Sequence, residues 1–364
     1  MRPILILAVG ISGLVVLAGC QMNLSVGPRA RADAIAPTES NTPPPDASRD
    51  RKDVFVPASR NSTQYEGRLL TNVQRHSFTE DGRDFDPDVD AGGQTLVFAS
   101  TRYAEHPDLF LKNVEGLTLT QLTSDPADDV QPRFSPDSAS VVFASNRSGS
   151  WDIWTIKRDG TERTQLTAEA TDEMAPCWSP DGSQIAYTVW GPRSGQWEIW
   201  TLTVAEPGVR HFLAYGMFPS WSSDGKRIAF QRPRQRGSRW FSIWTITLED
   251  GEARQPTEIA FSDSAACVAP RWSPNGEWVV YSALMGGAQQ YAELWMVDAT
   301  RGLRFRLSDG AEPAFNPTWG ANGRVYYVSP RAGAENIWSL SVDARGAEVA
   351  PVAAAAKPDN APMR

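Results

Sequence analysis

The chain is poor in the groups that most chemistry needs. Its 364 residues hold three cysteines and three histidines. Three cysteines cannot build a disulfide framework. His76, His106 and His211 are too far apart along the chain to form a metal-binding motif or a triad. No Gly-x-Ser-x-Gly occurs, so the nucleophile elbow of a serine hydrolase is missing. Positive charge is in deficit: 35 Lys and Arg against 43 Asp and Glu give a net charge of −8. That balance argues against a nucleic-acid binder, whose affinity comes from cations on phosphates. The apolar run from Ile4 to Leu17 is too short for a comfortable transmembrane helix. Nothing calls for a cofactor, and an enzyme is not the expectation.

What is present begins with a basic start, Met1-Arg2-Pro3, ahead of that apolar run, the layout of a signal peptide. The run ends in Leu17-Ala18-Gly19-Cys20, which resembles the lipobox of bacterial lipoproteins. The resemblance implies cleavage before Cys20, lipid on its sulfur and acylation (palmitate among the chains) of its amine. An ordinary signal peptide that happens to contain a cysteine is the other reading. Several acyl chains anchor stably where one would not. Gln21, where Asp would imply inner-membrane retention, leans toward the outer membrane. The expected division is a signal peptide at 1–19, a Pro-, Ala- and Ser-rich disordered tether at 20–65, a folded domain at 66–343 and a disordered tail at 344–364.

The folded part is a repeat. Pro87, Pro132, Pro176, Pro219, Pro270 and Pro317 open successive copies at intervals of 45, 44, 43, 51 and 47 residues. A variant of aromatic-Ser-Pro-Asp-Gly follows, whole at Trp178 to Gly182, and then a short apolar strand such as Val141-Val142-Phe143. Each copy continues to an acidic-or-polar, aliphatic, aromatic triplet: Asp108-Leu109-Phe110, Asp152-Ile153-Trp154, Glu198-Ile199-Trp200, Ser242-Ile243-Trp244, Glu293-Leu294-Trp295 and Asn336-Ile337-Trp338. Turn residues divide each copy into about four extended segments. One such sheet cannot bury both faces alone and must stack on its sister copies. The expected fold is all-β: a six-bladed β-propeller of four-stranded antiparallel blades. Copy six lacks the closing Gln-Leu-Thr strand, and Arg68-Leu69-Leu70-Thr71 supplies a stand-in upstream. An N-terminal strand is therefore expected to complete the last blade, leaving no loose edge. Nine of the fourteen tryptophans fall in two recurring slots of the copies, which fits interblade core better than carbohydrate stacking.

These repeats resemble those of the TolB-like, WD40-like propeller family, over about residues 66–343. The resemblance implies a periplasmic, monomeric propeller that binds an envelope protein or peptide at its channel mouth, a peptidoglycan-associated lipoprotein among the partners. The α/β domain that precedes the TolB propeller has no counterpart here, only the tether. Related propellers also occur in peptidases and lyases, so a hydrolase or lyase acting on envelope glycan or peptide is the alternative, and a passive structural lipoprotein a third.

Candidate site residues stand on the loops that enter the innermost strands. Three residues before the repeat proline are Asp84, Asp129 and Glu173, and one earlier are Asp128 and Asp172. With Arg133, the residue after Pro132, they define a candidate binding lip at one mouth of the channel for a cation or a basic partner. Capping and turn hydrogen bonding by the same acids is the competing reading. Arg232, Arg234, Arg236 and Arg239 in the long hairpin of the fourth copy read as an anion-facing or a solvated loop. Cys177 and Cys267 belong to copies that are not neighbours, so two unpaired thiols are expected.

Overall fold

A computed structural model describes residues 64–65, 70–233, 240–285, 291–308 and 310–342. Cys20, the expected tether other than Gln64–Tyr65, Arg68, Leu69, Arg234, Arg236, Arg239 and the tail lie outside the described residues.

Six antiparallel sheets follow one another along the chain. Blade 1 comprises Asp84–Val89, Thr95–Ser100, Asp108–Asn113 and Leu119–Gln121. Blade 2 comprises Asp129–Phe134, Ser140–Ser145, Asp152–Lys157 and Thr164–Gln165. Blade 3 comprises Glu173–Trp178, Gln184–Gly191, Gln196–Thr203 and Glu206–Tyr215. Blade 4 comprises Met217–Trp221, Arg227–Pro233, Phe241–Glu249 and Glu252–Ala260. Blade 5 comprises Ala265–Trp272, Trp278–Met285, Tyr291–Asp298 and Arg304–Arg306, with Gln64–Tyr65 added in parallel at its outer edge. Blade 6 comprises Phe315–Trp319, Arg324–Ala332 and Ala334–Val342, and its outer strand is Leu70–Arg75 from the start of the domain. Each inner strand packs beside the next, and the sixth beside the first. The six-bladed propeller read from the repeat is the fold.

The repeat chemistry explains the blades. In blade 2 the Ser135 hydroxyl donates to Asp137 at 2.5 Å and accepts from the Ser140 amide, while Asp137 accepts from the Ala139 amide. The same closed turn recurs at Ser179-Asp181, Ser222-Asp224 and Ser273-Asn275. Gly182, Gly225 and Gly276 end these turns at φ of 70–73°, where glycine has no Cβ penalty. Between blades the apolar strands interdigitate: Val142, Ile153 and Leu166 of blade 2 pack on Ile185, Tyr187, Leu202, Trp178 and Trp200 of blade 3.

The closure is held by polar contacts as well as by the ladder. Leu70 pairs with Val342 and Thr71 with Ser341. Buried His76 sits 2.6 Å from the Ser339 hydroxyl, and Asn336 accepts from the Thr79 amide at 2.8 Å. Burial lowers the His76 pKa, which keeps this link neutral at physiological pH.

Candidate functional site

All six inner strands carry the same kink. Asp86, Gln131, Ala175, Phe218, Ala269 and Asn316, each the residue before a repeat proline, lie at φ between 50° and 55°. A register shift follows in every blade. Proline disfavours the right-handed helical region for its predecessor. A bulge with a left-handed residue is what remains if the strand is to bend around the channel. The kinked amides are bonded across blade boundaries: Gln131 donates to Asp86, Ala175 to Gln131, Phe218 to Thr188, Ala269 to Gln231 and Asn316 to Ser282. Each of these acceptors belongs to the preceding blade. The kinks thereby tie the ring together at its narrowest circle.

Asp84 pairs with Ser100, Asp129 with Ser145 and Glu173 with Val189. The start of each inner strand therefore shares one face, here the entry face, with the hairpin after the second strand. The Ser-Pro-Asp-Gly turns lie on the opposite, exit face.

The six site residues divide into three groups. Asp84, Asp129 and Glu173 are buried, at 0%, 0% and 2% exposure. Arg102 lies 2.6 Å from Asp84, and Arg147 bonds both oxygens of Asp129 at 2.7 Å. Burial still pushes the Asp129 carboxyl upward against the pull of Arg147. Among the described residues Glu173 stands in no ion pair; burial drives it to about 9 although Arg210 opposes the shift, and Thr171 donates to it at 2.7 Å. Asp152 beside it is also raised by burial and shares a hydrogen bond with Glu173. Asp128 and Asp172 stand on the loops. Asp128 meets His106 at 2.7 Å and accepts from Asn146, which raises the His106 pKa. Asp172 is exposed and accepts the Trp151 amide. Arg133 lies apart from these acids, inside the channel.

Two further features of the ring were not drawn out from the sequence. Four tryptophans outside the recurring slots, Trp151, Trp190, Trp197 and Trp240, stand half-buried in entry-face hairpins of blades 2, 3 and 4. Trp190 and Trp197 meet edge to face at 5.4 Å, and Trp197 and Trp240 pack with Phe218, Phe241 and Leu284. The entry-face ion pairs thus lie over blades 1 and 2, and the aromatic cluster lies over blades 3 and 4. The second feature is a narrow channel cavity of about 10 Å³, room for a single water, lined by all six kink residues with Arg133, Arg271 and Pro317. Asp86, at its wall, is raised to about 6 by burial although Arg133 opposes the shift. Arg271 occupies the position of Arg133 in its own copy, so aligning the residues after the six prolines would have found it.

The histidines remain separate: His76 in the closure, His106 on a blade 1 loop and His211 exposed on the outer strand of blade 3. Among the described residues no group of three or more His, Cys, Asp or Glu is placed to hold a metal ion. Neither Cys177 nor Cys267 is in a disulfide, in keeping with their separate blades. Of the basic loop, Arg232 is described and stacks 5.4 Å from the Trp244 ring.

Residues 148–354 match the family model of the Tricorn protease N-terminal beta propeller domain, and residues 44–212 that of the TolB beta propeller domain. Among solved structures, TolB from Acinetobacter baumannii superposes with a TM-score of 0.52 at 15% identity, over 70% of this chain and 65% of that one. A protein described as a TolB from Agrobacterium tumefaciens gives 0.54 at 19% identity, over 71% and 90%. An oligogalacturonate lyase from Vibrio parahaemolyticus gives 0.50 at 14%, over 75% and 94%. At such identities the likeness is one of fold. No curated protein matches the chain in sequence.

Proposed function

We propose, from the premise that the chain belongs to the family of the Tricorn protease N-terminal beta propeller domain and that its repeats are of the TolB type, that it binds a protein or peptide partner at the entry face of its channel while tethered to the cell envelope through lipidated Cys20. One observation carries the binding reading. The repeat accounts for nine of fourteen tryptophans, and four of the remaining five stand in entry-face hairpins. Half-buried tryptophan grouped around a concave mouth is the composition of a protein interface rather than of a solvated loop. Asp128 and Asp172 add accessible negative charge at the rim. Buried Asp84, Asp129 and Glu173 hold the loops that present it. The anchor rests on the Leu17-Ala18-Gly19-Cys20 resemblance and on the tether that follows it.

One experiment tests both parts. A photo-cross-linking residue replaces Trp190 or Trp240 in the full-length chain, in living cells, with Asp159 on the exit face as the control position. Covalent capture of a discrete partner from 190 and 240 but not from 159 is expected, with Cys20→Ala releasing the chain from membranes. Equal capture from both faces, or none from either, overturns the entry-face reading. Retention of Cys20→Ala in membranes overturns the anchor.

A further inference from the structure

We propose that the seam of the ring is an acid-sensitive latch: a second proton on the His76 ring loosens the closing strand Leu70–Arg75 from blade 6 while the other blades stay shut. This goes beyond the entry-face reading and rests on neither the partner nor the anchor.

The seam is joined differently from the rest of the ring. In blades 1 to 5 the strand that pairs with the outer side of the third strand also follows it in the chain. In blade 6 that strand comes from the start of the domain, so no hairpin turn joins Leu70–Arg75 to Ala334–Val342. Its ladder is also interrupted by a register shift between Thr71 and Gln74. Side chains hold what the missing turn does not. Arg324 donates to the Asn72 carbonyl at 2.7 Å and to the hydroxyls of Ser341 and Ser339, each at 2.8 Å. His76 follows the strand directly, with its amide on the Ile337 carbonyl at 2.8 Å.

These partners fix where the imidazole proton sits. Ser339 Oγ accepts from Arg324 Nε, which can only donate, so its own proton goes to His76 Nε2 at 2.6 Å. Nδ1 then carries the ring proton and donates it to the Val114 carbonyl of blade 1 at 3.3 Å. One neutral imidazole thus links the closing strand, blade 6 and blade 1.

A second proton breaks this arrangement. It has to enter at Nε2, where the Ser339 hydroxyl must turn its own proton away and accept from two cations at once. The ring is 4% exposed and packs on Tyr326 at 5.2 Å. The charges that face it are Arg324 of blade 6, Lys112 on the third strand of blade 1 and Glu115 in the turn after that strand. Lys112 is buried, while the one anion, Glu115, is exposed. Burial lowers the His76 pKa most, Arg324 and Lys112 lower it further, and the Val114 carbonyl and Glu115 pull the other way. With the seam open the imidazole returns to its ordinary value of 6.5. The closed seam therefore keeps its full stability above that pH and loses it as pH falls below. In blade 1 the sign is reversed: Asp86 and Asp108, each raised to about 6, hold their protons more tightly folded. Acid thus acts against the seam while it favours its neighbour.

Hydrogen exchange read by mass spectrometry on the full-length protein tests this at about pH 7.5 and about pH 5, with rates corrected for the intrinsic pH dependence of exchange. Leu70–Arg75 should lose protection by about fivefold or more between the two, within the limit of about tenfold per pH unit set by one proton. Gln184–Gly191 of blade 3 should keep its protection. His76→Gln should remove the dependence, and His106→Gln, at an exposed imidazole, should leave it intact. If His76→Gln fails to fold, the imidazole carbon resonances of the unaltered protein decide: an Nδ1–H form that titrates below pH 6.5 is expected. Unchanged or increased protection of Leu70–Arg75 in acid, an equal loss in blade 3, a dependence that survives His76→Gln, or a His76 that titrates at 6.5 or above overturns the proposal. None of these outcomes bears on cross-linking at Trp190 and Trp240, so the two readings fail separately.

Discussion

In blades 1 and 2 the acid that opens the inner strand is paired with an arginine; in blade 3, among the described residues, the acid at the same position stands in no ion pair and burial pushes it up to about 9. Arg102 and Arg147 stand two residues beyond the strand residues that pair with Asp84 and Asp129. The matching position in blade 3 is Gly191, two beyond Val189. That position carries no side chain, and a Cβ on Gly191 would displace the Glu198 carboxylate and the Ser194 hydroxyl that now fill the space. Burial drives Glu173 to about 9, with Arg210 pulling the other way, and raises Asp152 as well. Asp152 Oδ1 and Glu173 Oε2 otherwise lack partners, and one proton shared between them satisfies both. The charge state of a repeat position is thus decided by a residue on a different strand.

The largest expected effect breaks the arginine side of the contrast. Arg147→Ala strips a fully buried acid of its cation, so Asp129 must stay charged unpaired or take up a proton, at a cost of about 3–5 kcal/mol. Urea denaturation at pH 7 should show that loss. Asp129→Asn in the same chain should recover much of it, and a double variant no more stable than Arg147→Ala alone would show that Asp129 is not the reason.

The proton side should respond in the opposite direction. Glu173 binds its proton more tightly folded than unfolded, since its folded value of about 9 exceeds the ordinary glutamate value. Its stabilisation is complete below the unfolded pKa and is lost as pH rises through the folded one. Asp86 and Asp108, each raised to about 6, act in the same sense at lower pH. Stability should therefore fall from about pH 4 toward pH 9. Glu173→Gln should flatten the upper part of that fall and raise stability at pH 8 by about 1–3 kcal/mol. A variant with the unaltered pH profile would place the shared proton elsewhere.

Much of this molecule was legible in its sequence because the repeat states each rule six times. The blade count, the Ser-Pro-Asp turns and the strand Leu70–Arg75 that closes blade 6 all follow from motifs that recur. The site was less legible, because its chemistry lives in what does not recur. Asp84, Asp129 and Glu173 look alike from copy to copy, yet their partners lie elsewhere: Arg102 and Arg147 in the hairpins after the second strand and Asp152 on a third strand. The kink before every proline leaves no signal in residue type, since Asp, Gln, Ala, Phe and Asn all adopt it. Arg133 was visible as a variable position, but its opposition to Arg271 depends on blade order around the ring.

The smallest expected effect reaches the tryptophan slot through the same pair of carboxyls. In blades 3 and 5 the acid of the recurring triplet accepts the indole N–H two residues on: Trp200 donates to Glu198 at 2.8 Å and Trp295 to Glu293 at 2.9 Å. In blade 2 that acid is Asp152, already engaged with Glu173 and with the hydroxyl of Ser148. The Trp154 N–H is accordingly buried without a partner. Replacing tryptophan by phenylalanine removes the N–H and keeps an aromatic face. At Trp200 this should cost the bond and strand an acceptor, about 1 kcal/mol beyond the loss of ring area. At Trp154 it removes an unmet donor, so the change should cost less, by roughly that amount. Equal losses from Trp154→Phe and Trp200→Phe in parallel urea melts would mean that Asp152 serves its indole after all, and that blade 2 does not trade that bond for the proton it shares with blade 3.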